Sequence, residues 1–223
     1  KLYDICQSSY EENGETIYNI IKKFLTDHKR IIFEGNGYSD EWEAEVVKRG
    51  LPNRKNAVDA INCLKDEKTI KPLIELGIHT NEEIISRHEV LLDSYSKTIQ
   101  VEALTTLKMS KNQIFPSCLN YINNLSMTTI HLEQINVDSD FVKKELIEVT
   151  NLVKDFKTKI ENLEMQINKV QSIKANAYEV ALLWKDNVLL AMNELRKVVD
   201  KLETIVDSTY WPMPTYTNLL FDI

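Results

Sequence analysis

The stretch VKKELIEVTNLVKDFKTKIENLEMQINKVQSIKANAYEVALLWKDNVLLAMNELRKVVDKLETI, Val142 to Ile205, decides the fold. Stepping from Val142 alternately by four and three residues lands on Leu146, Val149, Val153, Phe156, Ile160, Leu163, Ile167, Val170, Lys174, Ala177, Ala181, Trp184, Val188, Ala191, Leu195, Val198, Leu202 and Ile205. Every stop but Lys174 is apolar. This spacing keeps one stripe of a helix facing one partner. The residues between the stops are mostly Lys, Glu, Asp, Asn and Thr, as a solvated back face requires. One unbroken helix of this length would be a rod of roughly 95 Å, far beyond the dozen or so residues usual in soluble domains. Ser172 and Asn176, which flank Lys174, compete with helix for backbone hydrogen bonds. A tight turn at about 172 to 177 is therefore expected, folding the run into two antiparallel helices. An unbroken helix in an intermolecular coiled coil is the rival.

Working outward, Thr80 and Glu83 form a capping box that opens another long helix running to about residue 131. Pro116 should kink that helix or end it near Phe115. Asp138 and Ser139 can cap the helix that begins the heptad run. Upstream, an apolar pattern between Leu2 and Phe24 suggests a helix, best defined after Gly14. Ile31-Ile32-Phe33 reads as a single strand or an extended segment, and Gly35-Asn36-Gly37 as a turn. Asp40 with Glu43 fits a capping box for a short helix through Val47, which Gly50, Leu51 and Pro52 end. Two short helices follow, Ala57 to Leu64 and Glu67 to Leu76, with Gly77 closing the second. Beyond Asp207, two prolines predict an extended tail, Trp211 to Phe221, whose aromatic residues should fold back and pack on the bundle or on the short helices.

The whole reads as a mainly α protein: a segment of short helices over 1–78, then an antiparallel bundle of three long helices within 79–223, at roughly 80–131, 138–172 and 177–208. Composition agrees, because five Gly and five Pro in 223 residues leave little room for a turn-rich β-sandwich. The apolar fraction of 43% and charged fraction of 27% are those of an ordinary globular protein. A net charge of −7, with bases interleaved among acids, argues against a nucleic-acid footprint. No apolar run approaches the eighteen or so residues of a membrane span. Cys6, Cys63 and Cys118 have no metal-ligand spacing and suggest no disulfide framework, which points to a reducing, cytoplasmic setting. The chain opens on Lys1 rather than Met, as a piece of a longer protein would.

Candidate chemistry is sparse. Gly35-Asn36-Gly37 lacks the Lys-Ser/Thr ending or third glycine of a phosphate-cradling loop. Glu41, Glu43 and Glu45 would splay over different faces of a helix, where metal binding needs them converging. His28, His79, His88 and His131 have no partner at ligand spacing, and a surface position is expected for His88. The three cysteines read as packing residues rather than nucleophiles. No catalytic, cofactor-binding or metal-ligating residue is assigned from these patterns.

Four stretches carry a resemblance. KRIIFEGNGYSDEW (Lys29 to Trp42) with KRGLPN (Lys48 to Asn53), SRHEVLLDSYSKTIQVEA (Ser86 to Ala103) and WPMPTYTNLLF (Trp211 to Phe221) resemble, in the same order, the region that follows the catalytic core in type III glutamine synthetases. Met213 stands where that family more often has Phe, and residues 138–200 match in character more than in letters. The resemblance implies a parent enzyme that joins ammonia to glutamate using ATP and magnesium or manganese, and that assembles as a dodecamer. The family's metal-binding glutamates, nucleotide site and glutamate-holding arginines lie upstream of the region resembled. This chain would then be a non-catalytic C-terminal part without cofactors of its own, in contact with the parent's catalytic core and with other subunits. A free-standing coiled-coil interaction module and an independent enzyme are the alternatives.

Overall fold

The computed structural model describes residues 17–29, 32–214 and 216–221. The chain forms two compact units, Lys1–Lys55 and Asn56–Ile223. In the first, helix α1 spans Ile17–Asp27 and α2 spans Asp40–Lys48. The expected start of the first helix, between Leu2 and Gly14, lies outside the described residues. No strand occurs among the described residues; Ile32 and Phe33 have no regular structure and Ile31 is outside them.

Gly35-Asn36-Gly37 is the turn expected, and the first glycine is required by a close approach. A Cβ on Gly35 would stand 2.5 Å from the Phe33 ring. Asn36 Oδ1 accepts the Tyr38 N–H at 3.0 Å, which holds the turn closed. The N-cap of α2 is Ser39, not Asp40: Ser39 Oγ accepts the Trp42 N–H at 3.4 Å. A hydroxyl one residue earlier reaches the free N–H groups, and Glu43 is left to pair with Lys55 at 2.6 Å. Gly50, at φ +69°, ends α2: its own N–H reaches Val47 O and the Leu51 N–H reaches Val46 O, both at 3.0 Å. Phe33 and Trp42 stack with centroids 3.9 Å apart, and the Arg49 guanidinium lies 5.9 and 5.8 Å from their centres. Arg49 also binds Glu45 at 2.6 Å and donates to Ile32 O at 2.7 Å.

The second unit contains α3 (Ala57–Asn62), a 3₁₀ turn (Cys63–Lys65), α4 (Glu67–Glu75) and the three rods. Helix α3 packs on the rods: Val58 is fully buried beside Leu92 and Ala181. The first rod is α5 (Asn81–Met109), a π segment (Ser110–Ile114) and α6 (Phe115–Gln134). The capping box forms as expected, with the Glu83 N–H on Thr80 Oγ1 at 3.2 Å and the Thr80 N–H on Glu83 Oε2 at 2.8 Å. Pro116 neither ends the rod nor goes unnoticed. The Phe115 N–H reaches back five residues to Ser110 O, so the register changes just ahead of a residue that has no N–H.

The first rod closes on Asn136 at φ +55°, with the Val137 N–H on Leu132 O at 2.9 Å. Asn is the usual substitute for Gly in this left-handed position. The second rod, α7 (Asp140–Ser172), starts with Asp138 Oδ1 accepting the Asp140 N–H at 3.1 Å. The chain then turns over 173–176, where it was expected to. Asn176 Oδ1 takes the Glu179 N–H at 3.0 Å and opens the third rod: α8 (Ala177–Leu183), a π segment (Trp184–Leu189) and α9 (Leu190–Ile205).

Short turns make neighbouring rods antiparallel, and one core runs between them. Val149, Phe156 and Leu163 of the second rod, and Val188 and Leu202 of the third, are completely buried. On the first rod Ala103, Ile114, Cys118 and Tyr121 face them. Lys174, the one polar stop, is exposed in the turn. The tail departs from the expectation of an extended chain. Trp211 packs against the core, but Tyr216–Phe221 is a short helix, α10, and Leu219, Leu220 and Phe221 are exposed.

His88 is not the surface residue expected. It is 3% exposed, because α3 and the 3₁₀ turn pack over that face of α5, and its Nε2 lies 3.3 Å from Asn62 Oδ1. Burial first, and the Lys65 charge second, push its pKa below that of a free imidazole, against the opposing pull of Glu89. The neutral ring is therefore the folded form. Its stabilising contribution is complete above the unfolded pKa of about 6.5 and is lost as pH falls through the folded value. Urea titrations of wild type and His88→Gln should show a steeper loss of stability in wild type between about pH 7.5 and 5; parallel curves would contradict this. Phe156→Ala should cost about 3–5 kcal/mol, whereas Met165→Ala, on the exposed face, should stay within about 0.5 kcal/mol.

Candidate functional site

The first and third rods meet along α5, α8 and the second π segment. Beyond that contact a cleft of about 740 Å³ opens between Glu102–Ile114 and Leu189–Glu203, and the tail supplies its third wall. The tail reaches it through a turn fixed by Asp207, whose Oδ1 accepts the Thr209 N–H at 2.7 Å and its hydroxyl at 2.6 Å. Those bonds hold the Asp207 carboxyl below its usual pKa. Tyr210 then packs 5.9 Å from the Tyr121 ring, and the Tyr121 hydroxyl donates to Glu145 at 2.5 Å. Burial, then that bond, push the Tyr121 phenol up to about 12, so it remains a donor at physiological pH.

Trp211 enters the cleft wall from this turn. Its Nε1–H is buried without a hydrogen-bond partner, an arrangement that costs about 1–3 kcal/mol if nothing accepts the bond. Met109, Ile114, Met192, Leu195 and Val199 give the cleft apolar surface. Glu102, Asp200, Glu203 and Arg196 stand at its edge, where Arg196 Nε lies 3.7 Å from Asp200. Chemically the cleft offers apolar surface and an excess of negative charge at its edge, while the Trp211 N–H is closed off behind its wall.

Residues weighed from the sequence do not converge on it. Glu43 and Glu45 are taken by Lys55 and Arg49, and Glu41 lies on another face of α2. His28 rests on Phe24 with ring centres 4.3 Å apart, His79 Nδ1 lies 3.7 Å from Glu83, and His131 is exposed. Cys118 is fully buried and its thiol is pushed up to about 11, far from a reactive thiolate. Cys63 donates to Asp59 O at 3.5 Å, and Cys6 lies outside the described residues. Among the described residues no three His, Cys, Asp or Glu side chains gather as a metal-holding group, and no helix is long and apolar enough to cross a membrane. The signal missed in the sequence is a second apolar set on the third rod, Leu189, Met192 and Val199, lying off the heptad stops and half-buried at the cleft.

Comparison with known proteins supplies what this geometry leaves open. Residues 16–133 match the family described as Glutamine synthetase C-terminal domain. A glutamine synthetase of Butyrivibrio fibrisolvens is 34% identical over 218 residues, covering 96% of this chain and 31% of that protein. A type-3 glutamine synthetase of Dictyostelium discoideum is 30% identical over 98% of this chain and 30% of its own length. A glutamine synthetase of Bacteroides fragilis is 30% identical over 93% of this chain and 29% of its own. The chain thus spans about a third of the length of the curated relatives it matches. With its family match covering more than half of its residues, the chain belongs to the glutamine synthetase C-terminal domain family.

Proposed function

We propose that this chain is the C-terminal part of a type III glutamine synthetase and serves it structurally, by supporting the catalytic core and supplying surface for contacts between subunits. The observation that carries this reading is the alignment itself: it runs through 96% of the chain yet covers only 31% of the Butyrivibrio relative. In this reading the parent's reaction, ATP-dependent ligation of ammonia to glutamate, its magnesium or manganese, and its dodecameric assembly all depend on residues outside this chain.

A contact role is supported by apolar side chains that the bundle leaves uncovered. Ile135, Val137, Phe141 and Ile147 are 67%, 49%, 66% and 61% exposed around the turn between the first and second rods. Exposed apolar side chains of this size are common on surfaces that meet other protein.

The chain alone, incubated with glutamate, ammonia, ATP and magnesium, should form no glutamine above a protein-free blank; measurable turnover would overturn the non-catalytic reading. Removing the aligned region from the Butyrivibrio enzyme should reduce the assembled mass seen by sedimentation. An intact large assembly after that truncation would contradict the contact role and favour a free-standing interaction module.

A further inference from the structure

We propose that the exposed apolar side of α1 docks on the part of a glutamine synthetase that precedes this region, an inference that rests on the reading of the chain given above. The helix Ile17–Asp27 is amphipathic, with Asn19, Lys22, Lys23 and Thr26 on its polar side. Its apolar side is only partly used. Ile20 is buried, and Phe24 is half-buried with the His28 ring against it. Beside them Ile17, Tyr18, Ile21 and Leu25 share an arc of about 100°. These four are 60%, 72%, 44% and 50% exposed. A surface helix turns its apolar stripe to protein, and a helix of eleven residues is marginal in water without such a contact.

The first unit has little core with which to hold α1. Among its described residues only Ile20 and Val46 are buried apolar side chains, whereas the rods bury a continuous stripe. So small a core needs further protein surface to close it. The place of α1 in the chain names that surface. The match to the glutamine synthetase C-terminal domain begins at residue 16, one residue before the helix. In the Butyrivibrio relative the aligned region is 31% of the protein, so about two-thirds of that chain lies outside it, and a C-terminal domain has that remainder upstream. Consecutive elements usually lie side by side, which puts α1 next to the end of the upstream part. Its stripe, at i, i+1, i+4 and i+8, fits an apolar seat along which a helix lies, with Lys22 and Lys23 left in water. Two copies of this stripe, each roughly 16 Å long and one helix wide, fall short of the roughly 1,200 Å² of a stable interface between separate chains. A covalently linked neighbour needs less area, because its effective concentration is already high.

The test compares backbone hydrogen exchange of α1 in the 223-residue chain alone with that of the aligned helix in the intact Butyrivibrio enzyme. Exchange should be about a hundredfold or more slower in the intact enzyme, while the rods are protected in both. Ile21→Gln with Leu25→Gln keeps helix propensity and removes apolar surface. In the chain alone this pair should change neither the urea midpoint nor the sedimentation. At the aligned positions of the intact enzyme it should return the helix to the fast exchange of the chain alone, and Lys23→Gln, on the polar side, should not. The inference is overturned if the helix exchanges alike in the two proteins. It is equally overturned if the pair lowers the midpoint of the chain alone, because another part of the chain then covers the stripe. Conversion of a dimer of the chain to a monomer by the pair would also overturn it, with a second copy as the cover. An unprotected helix in an active intact enzyme sinks this inference and leaves the structural reading standing; glutamine formed by the chain alone sinks the reading itself.

Discussion

Burial of the apolar stripe from Val142 to Ile205, second rod on third and both on the first, is the interaction on which the rest of the structure depends. Phe156, Ile160, Leu163 and Ile167 on the second rod are at most 2% exposed, as are Leu195 and Leu202 on the third. Each such side chain contributes about 1.5–3 kcal/mol when taken from water. The ion pairs that cross between rods, Lys111 with Glu164 at 2.5 Å and Lys159 with Glu194 at 3.7 Å, join partly exposed groups. Pairs of that kind are worth about 1 kcal/mol at most. Apolar burial therefore sets the architecture, and the charges decorate it. The turn falls at Lys174 because an ammonium inside the stripe would have to be buried, whereas in the hairpin it remains in water.

The parts of the fold that were legible in the sequence are those governed by neighbours in sequence. Thr80 with Glu83 and the glycines at 50 and 77 act within one helical turn, so their residue types suffice to place them; Asn176 was read as a turn residue, and its cap on the Glu179 N–H came only with the structure. The stripe itself was legible because its period is fixed by helix geometry. The two π segments were not, since nothing in the letters Ser110–Ile114 or Trp184–Leu189 distinguishes a π turn from an α turn. Pro116 marked the place of the first disturbance without specifying its form. Asn136 in a left-handed cap was overlooked because Asn adopts that conformation less regularly than Gly.

The larger misses concern which surfaces meet. His88 sits on α5 with charged neighbours in sequence, Arg87 and Glu89, and only the arrival of α3 buries it. The cleft is likewise a property of three segments far apart in the chain. Leu189, Met192 and Val199 form an apolar set beside the heptad stripe, but the sequence does not say that the tail will cover them only in part. Trp211 was expected to pack and does so, yet its unpartnered N–H is evident only from the surrounding atoms. The chain aligns with about a third of its relatives' length, and the core of its rods is continuous and built from its own residues.

The central claim is that the rods close on one another within a single polypeptide. The most direct test is the urea midpoint of the chain measured over an about hundredfold range of protein concentration, because only association makes that midpoint depend on concentration. An intramolecular bundle predicts one midpoint throughout. A midpoint that climbs steadily with concentration would mean that the stripe is covered by another chain, and would contradict the account.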